Sequence, residues 1–361
     1  MYLKSFKFKR SDGLSFERID FQPWNLFVGG SGTGKTRLLE AIRSVSSIVT
    51  KEVRWAPTCE WDCVFTDTKG VEFCWQGKTK TNEVNMVTMG EERLWRNKAL
   101  VFHRNERELK INGDLSNNPP RADSMLYTSG APEVLEAADA IRRLVFSEGN
   151  RATQMLFESI PEKEYYEGKC DSIEDLRNKP FSALIKLCLS TKYFSRSAEA
   201  EAVKDAFKEC FPTVQDVEFA FRVQSGKDVY PFFRLKEDGD FVDYNRTSSG
   251  MIRALVHLAE IHFSPDGTLF LIDEVENSLG ENCIDEVTSW LMERRRGCQY
   301  IMTSHHPKVI NKVPMKYWQI LSRKGGLVSS MTAEQAGLGK SRHTAFMQLM
   351  NMEGFAEGAT R

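Results

Sequence analysis

The chain has 361 residues, 41% hydrophobic and 27% charged, enough for one large domain or two modest ones around a sizeable core. Lys and Arg total 49 against 50 for Asp and Glu, a net charge of -1, which excludes a global basic field for holding nucleic acid. No run of 18 apolar residues and no apolar N-terminal leader segment is present, so a cytoplasmic protein without membrane contact and with reduced cysteines is expected.

Taken in chain order, Tyr2 to Phe8 and Phe16 to Phe21 predict two strands around the turn Ser11-Asp12-Gly13. Asn25 to Val28 is a short apolar run bounded by glycine, the pattern of a buried parallel strand. A glycine loop and a helix from Thr36 to about Val49 follow. Between residues 60 and 114, alternating segments are separated by the turn signals Lys69-Gly70, Gln76-Gly77 and Asn112-Gly113, which predicts an antiparallel β subdomain. Asn117 to Pro120 reads as a loop. Pro132 to about Glu209 reads as helical, with a loop near 161–169. Strands return from Val214 to Tyr244, with turns at Ser225-Gly226 and Asp238-Gly239. A helix (Met251 to Phe263), a buried strand (Leu269 to Ile272), a helix (Glu281 to Arg295) and a strand (Gln299 to Thr303) complete a β/α alternation. The expected class is α/β, a mostly parallel core sheet with an antiparallel β subdomain and a helical insertion. The expected domains are an N-terminal lobe at 1–130, the insertion at 131–213 and a C-terminal lobe at 214–361.

Gly29-Gly30-Ser31-Gly32-Thr33-Gly34-Lys35-Thr36 fits the phosphate-binding loop G-x-x-x-x-G-K-[ST] at every specified position, between a strand and a helix. Glycines let backbone N–H groups close in on phosphates, and the helix adds its positive end. Lys35 is expected to reach the β- and γ-phosphates and Thr36 to bind Mg²⁺, with Arg37 at the loop's exit. Leu269 to Ile272 ends in Asp273-Glu274, which places one carboxylate for the metal and the next for the attacking water. Ser248, Ser249 and Gly250 open a helix, where they form an anion site or, more plainly, a serine N-cap. Met302-Thr303-Ser304-His305-His306-Pro307 is a polar end on a buried strand. Cys59 and Cys63 have no second pair at zinc spacing and read as core thiols.

The order of these motifs resembles the ABC ATPase superfamily, in particular the compact RecF/SMC-like heads. The chain also resembles the stand-alone AAA-type ATPases of prokaryotic anti-phage systems such as Septu, PARIS and OLD-type proteins. The resemblance rests on Ser248-x-Gly250-x-x-Arg253, on Asp273-Glu274-x-Glu276-Asn277 and on Ser304-His305-x-Pro307, and covers about 1–50 and 215–330. It implies an ATPase with ATP and Mg²⁺ as ligands, working as a head-to-tail dimer or higher oligomer. Ser248, Ser249 and Gly250 then meet the γ-phosphate in the partner subunit, and Glu274, His305 and Lys35 serve the chemistry. It implies regulation of a separately encoded effector, a nuclease or toxin; the alternative is a RecF-like DNA repair ATPase that clamps duplex DNA. Ser31 replaces a frequent Asn, Met251 a transporter's Gln, and Gly280-Glu281 a frequent His-Pro. No Q-loop glutamine is assigned. The interval between Thr36 and Ser248 carries no sustained heptads, so no long coiled coil is expected.

Overall fold

Trp24–Val28 is buried at all five positions, and this strand (β3) carries the loop that follows it. The computed structural model describes residues 1–51, 58–81, 87–116, 123–147, 154–194, 197–223, 228–293, 297–339 and 341–351. The expected loop at Asn117–Pro120, the turn at Ser225-Gly226 and the helix end at Arg295 lie outside them. The chain forms two units. The first is Met1–Phe146, Asp266–Asp273 and Arg296–Arg361; the second is Ser147–Pro265 and Glu274–Arg295.

The sheet of the first unit takes in β1 (Tyr2–Arg10), β2 (Ser15–Asp20), β3, β4 (Cys59–Thr66), β5 (Glu72–Thr81), β6 (Val87–Arg96), β7 (Ala99–Arg104), β8 (Leu109–Ile111) and β9 (Asp114–Leu115). It continues with β10 (Leu144–Ser147), β15 (Leu269–Ile272), β16 (Gln299–Thr303), β17 (Trp318–Lys324) and β18 (Leu327–Thr332). Their spatial order is β10-β15-β16-β3-β17-β18-β2-β1-β4-β5-β6-β7-β8-β9. β15, β16, β3 and β17 run parallel to one another, whereas β1, β2 and β4 to β9 form antiparallel pairs. The antiparallel wing is therefore continuous with the parallel core. Its strands alternate, as in β4, where Cys59, Trp61, Cys63 and Phe65 point into the core.

Helix α1 (Lys35–Thr50) starts directly after Gly34 and buries Leu38, Leu39, Ile42, Val45 and Val49, one stripe at helical spacing. It ends at Lys51, whose left-handed conformation lets its N–H bond Ser47 O. The remaining helices of this unit are α2 (Met125–Thr128), α3 (Pro132–Ile141), α10 (Pro307–Lys312) and α11 (Arg342–Asn351).

The second unit holds α4 (Glu162–Glu167), α5 (Ile173–Asn178), α6 (Ala183–Tyr193), α7 (Ala198–Cys210), α8 (Ser249–Phe263) and α9 (Ile284–Met292). Its small sheet has the order β11 (Ile160–Pro161), β13 (Asp228–Glu237), β12 (Val214–Val223), with β14 (Asp240–Asp243) on β13. Helices α6, α7 and α9 pack on α8, which buries every residue from Arg253 to Phe263.

Three local expectations differ from the structure. Gln76-Gly77 is not a turn but the middle of β5, opposite Trp61 and Asp62 of β4. Trp61 lies on the glycine; a Cβ there would come within 2.1 Å of its Cζ2. Leu144–Ser147 is a strand because it pairs with β15 at the sheet's end. Residues 162–167 form a short helix whose first turn carries Glu162 and Glu164, the sign its N-terminal dipole favours.

Candidate functional site

Four parallel strands share one carboxyl edge, and in open α/β sheets that edge is where ligands bind. Here it delivers the glycine loop from β3, Asp273 from β15, Ser304 from β16 and Arg323 from β17. The strand order places β16 between the loop strand and the Asp273 strand.

The loop is held by its own geometry. Gly32 and Gly34 have φ of 81° and 102°, the left-handed region that glycine enters without cost. Thr33 is buried and its hydroxyl donates to Gly30 O at 2.9 Å. Lys35 is 5% exposed, and its Nζ donates to Gly29 O at 2.9 Å and Gly30 O at 2.8 Å. Ser31, Gly32, Thr36 and Arg37 are exposed.

Asp273 binds this loop to the neighbouring strands. Its Oδ1 accepts from Thr36 Oγ1 at 3.2 Å and from Thr303 Oγ1 at 2.7 Å. One carboxylate oxygen thus gathers hydroxyls from α1 and β16. Next to Thr303, Ser304 is fully buried; its Oγ accepts from His306 N at 3.0 Å. His306 Nδ1 accepts from Lys308 N at 3.2 Å and caps α10, so that ring is occupied structurally. His305 is the exposed member of the pair. Gln76 donates to Asp62 at 2.9 Å across the antiparallel pair.

Glu274 and the Ser248–Gly250 segment belong to the second unit. Glu274 has φ 47° and Ser278 φ 64°, left-handed conformations that cost non-glycine residues of order 1 kcal/mol or more each and cluster at functional sites. Asn277 braces this turn, donating its N to Glu274 O at 2.8 Å and its Nδ2 to Glu274 Oε2 at 3.3 Å. Ser248 is the N-cap of α8, accepting from Met251 N at 3.2 Å. Gly250 lies against the same strained turn: a Cβ would sit 2.6 Å from Ser278 O. Gly250→Ala is therefore expected to cost about 1–3 kcal/mol, the usual price of overpacking, and to lower Tm by a few degrees. A melting curve identical to wild type contradicts this close packing.

Arg253 is buried within α8 and donates its Nε to His257 Nε2 at 3.1 Å. That bond leaves the ring proton on Nδ1, 3.7 Å from Glu260. Burial holds the His257 pKa below its ordinary value, so the ring is neutral. Arg253, His257 and Glu260 thus form a buried polar row along this helix. Thr303 lies within the polar strand end that the sequence marks, whereas Arg323 at the site edge carries no sequence motif. Only strand order brings them there.

Sheet and loop together define a P-loop ATPase with the fold of an SMC-like head. Residues 101–311 match the family described as "AAA domain, putative AbiEii toxin, Type IV TA system", and the chain belongs to that family. Among solved structures it is similar to an SMC head bound to the C-terminal winged-helix domain of ScpA. That match has 14% identity over 93% of this chain and 99% of the other, with a TM-score of 0.58. An SMC head domain from Thermotoga maritima matches at 12% identity over 92% of this chain and 99% of that one, with a TM-score of 0.45. No curated protein matches the chain. Among the described residues, no helix is long and apolar enough to cross a membrane and no group of His, Cys, Asp and Glu is placed to hold a metal.

Proposed function

We propose that the chain binds ATP on the Gly29–Thr36 loop and hydrolyses it to ADP and phosphate, in a head-to-tail pair of chains. The observation that carries this reading is the convergence of Thr36 and Thr303 on Asp273 Oδ1 beside a complete phosphate loop. A hydroxyl and a carboxylate at one point are the hard oxygen donors that suit Mg²⁺, which takes one or two carboxylates plus substrate phosphates. Thr36 and Asp273 would hold Mg²⁺, which would supply positive charge against the β- and γ-phosphates. Lys35 turns from the loop carbonyls to the phosphates, and the loop N–H groups hold them. Glu274 accepts a proton from the attacking water, with Asn277 fixing its carboxylate. His305, exposed after β16, serves the γ-phosphate side. Ser248, Ser249 and Gly250 at the start of α8 meet the γ-phosphate held by the partner chain. The toxin–antitoxin description of the family supports a place in a defence system; the resemblance to anti-phage ATPases extends this to ATP turnover that controls a separately encoded effector.

The composite site is tested by mixing two inactive variants. Ser248→Arg is preferred to a Gly250 variant, because Gly250 packs on its own chain's Ser278. Lys35→Ala mixed with Ser248→Arg rebuilds one intact loop facing one intact serine segment, so ATPase activity is expected to rise above either variant alone. Exchanging chains that never exceed the single variants contradict the shared site.

A further inference from the structure

We propose that Arg323 is a phosphate-contacting residue of the nucleotide site, a cationic arm on the side of the loop away from Asp273. The inference rests on the ATP-binding reading above and adds a contact that the motifs do not contain.

The placement follows from the sheet. β17 pairs with β3 in parallel, with Trp318, Gln319 and Ile320 opposite Leu26, Phe27 and Val28. Arg323 lies three residues past the last pair, level with the glycine loop rather than with the strand. β17 and β18 clasp that loop. A Cβ on Gly29 would lie 3.0 Å from Leu321 O, and one on Gly34 would lie 3.1 Å from Val328. The hairpin is itself docked. Ser15 N donates to Gly326 O at 2.8 Å, and a Cβ on Gly326 would come within 2.1 Å of Gly13 O. The arginine thus stands on a support fixed from both sides.

The side chain is also directed. Arg323 Nε donates to Gly325 O at 2.7 Å in the hairpin turn. Its Nη1 donates to Gly32 O at 3.4 Å, at the exposed rim of the loop. The first bond is short and fixes the guanidinium plane; the second is long and readily exchanged for a better acceptor. A guanidinium is a flat fork of N–H donors whose geometry suits phosphate oxygens. Lys35 and the loop N–H groups approach a polyphosphate from beneath, and Asp273 lies on the β16 side. Arg323 adds a positive group on the β17 side. The ligand class is the polyphosphate of a nucleoside di- or triphosphate.

Arg323→Met and Arg323→Lys separate this role from a purely structural clasp. The measurements are calorimetric titrations of each protein with ATP and with AMP in the presence of Mg²⁺, the KM and kcat of ATP hydrolysis, and the melting temperature. The Met variant is expected to bind ATP about tenfold more weakly, the worth of one charge-assisted hydrogen bond, with AMP affinity nearly unchanged. KM should rise more than kcat falls, and the Lys variant should recover part of the loss. A Met variant that binds ATP like wild type while Lys35→Ala does not overturns the inference and leaves the ATP-binding reading intact. Equal losses for ATP and AMP with a lowered melting temperature overturn it in favour of a structural clasp. A wild-type protein that binds no ATP overturns both.

Discussion

Glu274→Gln is expected to lower ATP hydrolysis by about 10²–10⁴-fold, the usual worth of a positioned general base, with ATP affinity nearly unchanged. The reasoning is local. Glu274 follows the buried strand β15 and the carboxylate of Asp273, so it leaves the sheet at the edge where the loop opens. Its backbone is held in a left-handed conformation that an unconstrained glutamate avoids. Asn277 bonds its carbonyl and its carboxylate and fixes the side chain's direction. Glutamine keeps the shape, keeps an oxygen for Asn277 and removes only the proton acceptor. Binding rests on Lys35, Thr36, Asp273 and the loop backbone, which the change leaves alone. Single-turnover hydrolysis and a binding titration on the same sample check both halves. Turnover at the wild-type rate removes Glu274 from the chemistry and directs the search to His305 or Glu276.

Lys35→Ala is expected to lower ATP affinity by roughly 30-fold or more, since truncating one partner of a buried charged pair costs about 2–5 kcal/mol. Lys35 is buried, and its ammonium spans Gly29 O and Gly30 O at 2.9 and 2.8 Å. Alanine takes away the cation meant for the phosphates and also the cross-brace of the loop. Both losses act in the same direction. Calorimetric titration with ATP and Mg²⁺ gives the affinity, and a melting curve without nucleotide separates the brace from the phosphate contact. Wild-type affinity contradicts the assigned role.

The parallel core was legible because its strands are short, apolar and bounded by glycine or carboxylate. Asn25–Val28 and Leu269–Ile272 are fully buried. Asn25 is the polar exception, and its amide is satisfied by Gln22 O and Tyr300 O. The phosphate loop was legible because its glycines occupy left-handed positions that few other residues tolerate. Strand order was not legible, since it is decided by contacts far apart in sequence. Hence the contact of Thr303 with Asp273 across a strand pair was not legible although Thr303 lies in a marked segment, and Arg323, which reaches Gly32 from β17, carried no local signal. Gln76-Gly77 misled for the same reason: the glycine answers a tryptophan ring on the next strand, not a turn. Ser248 caps α8, as serine does at helix starts, the plainer of the two readings its position allows.

The claim that two chains share each ATP is tested most directly by sedimentation of the Glu274→Gln protein with Mg-ATP and with Mg-ADP. Slow hydrolysis should hold the closed pair together, so the account predicts a mass at least doubled in ATP relative to ADP, and no such increase for Ser248→Arg in the same background. A Glu274→Gln protein saturated with ATP that sediments as it does with ADP contradicts it.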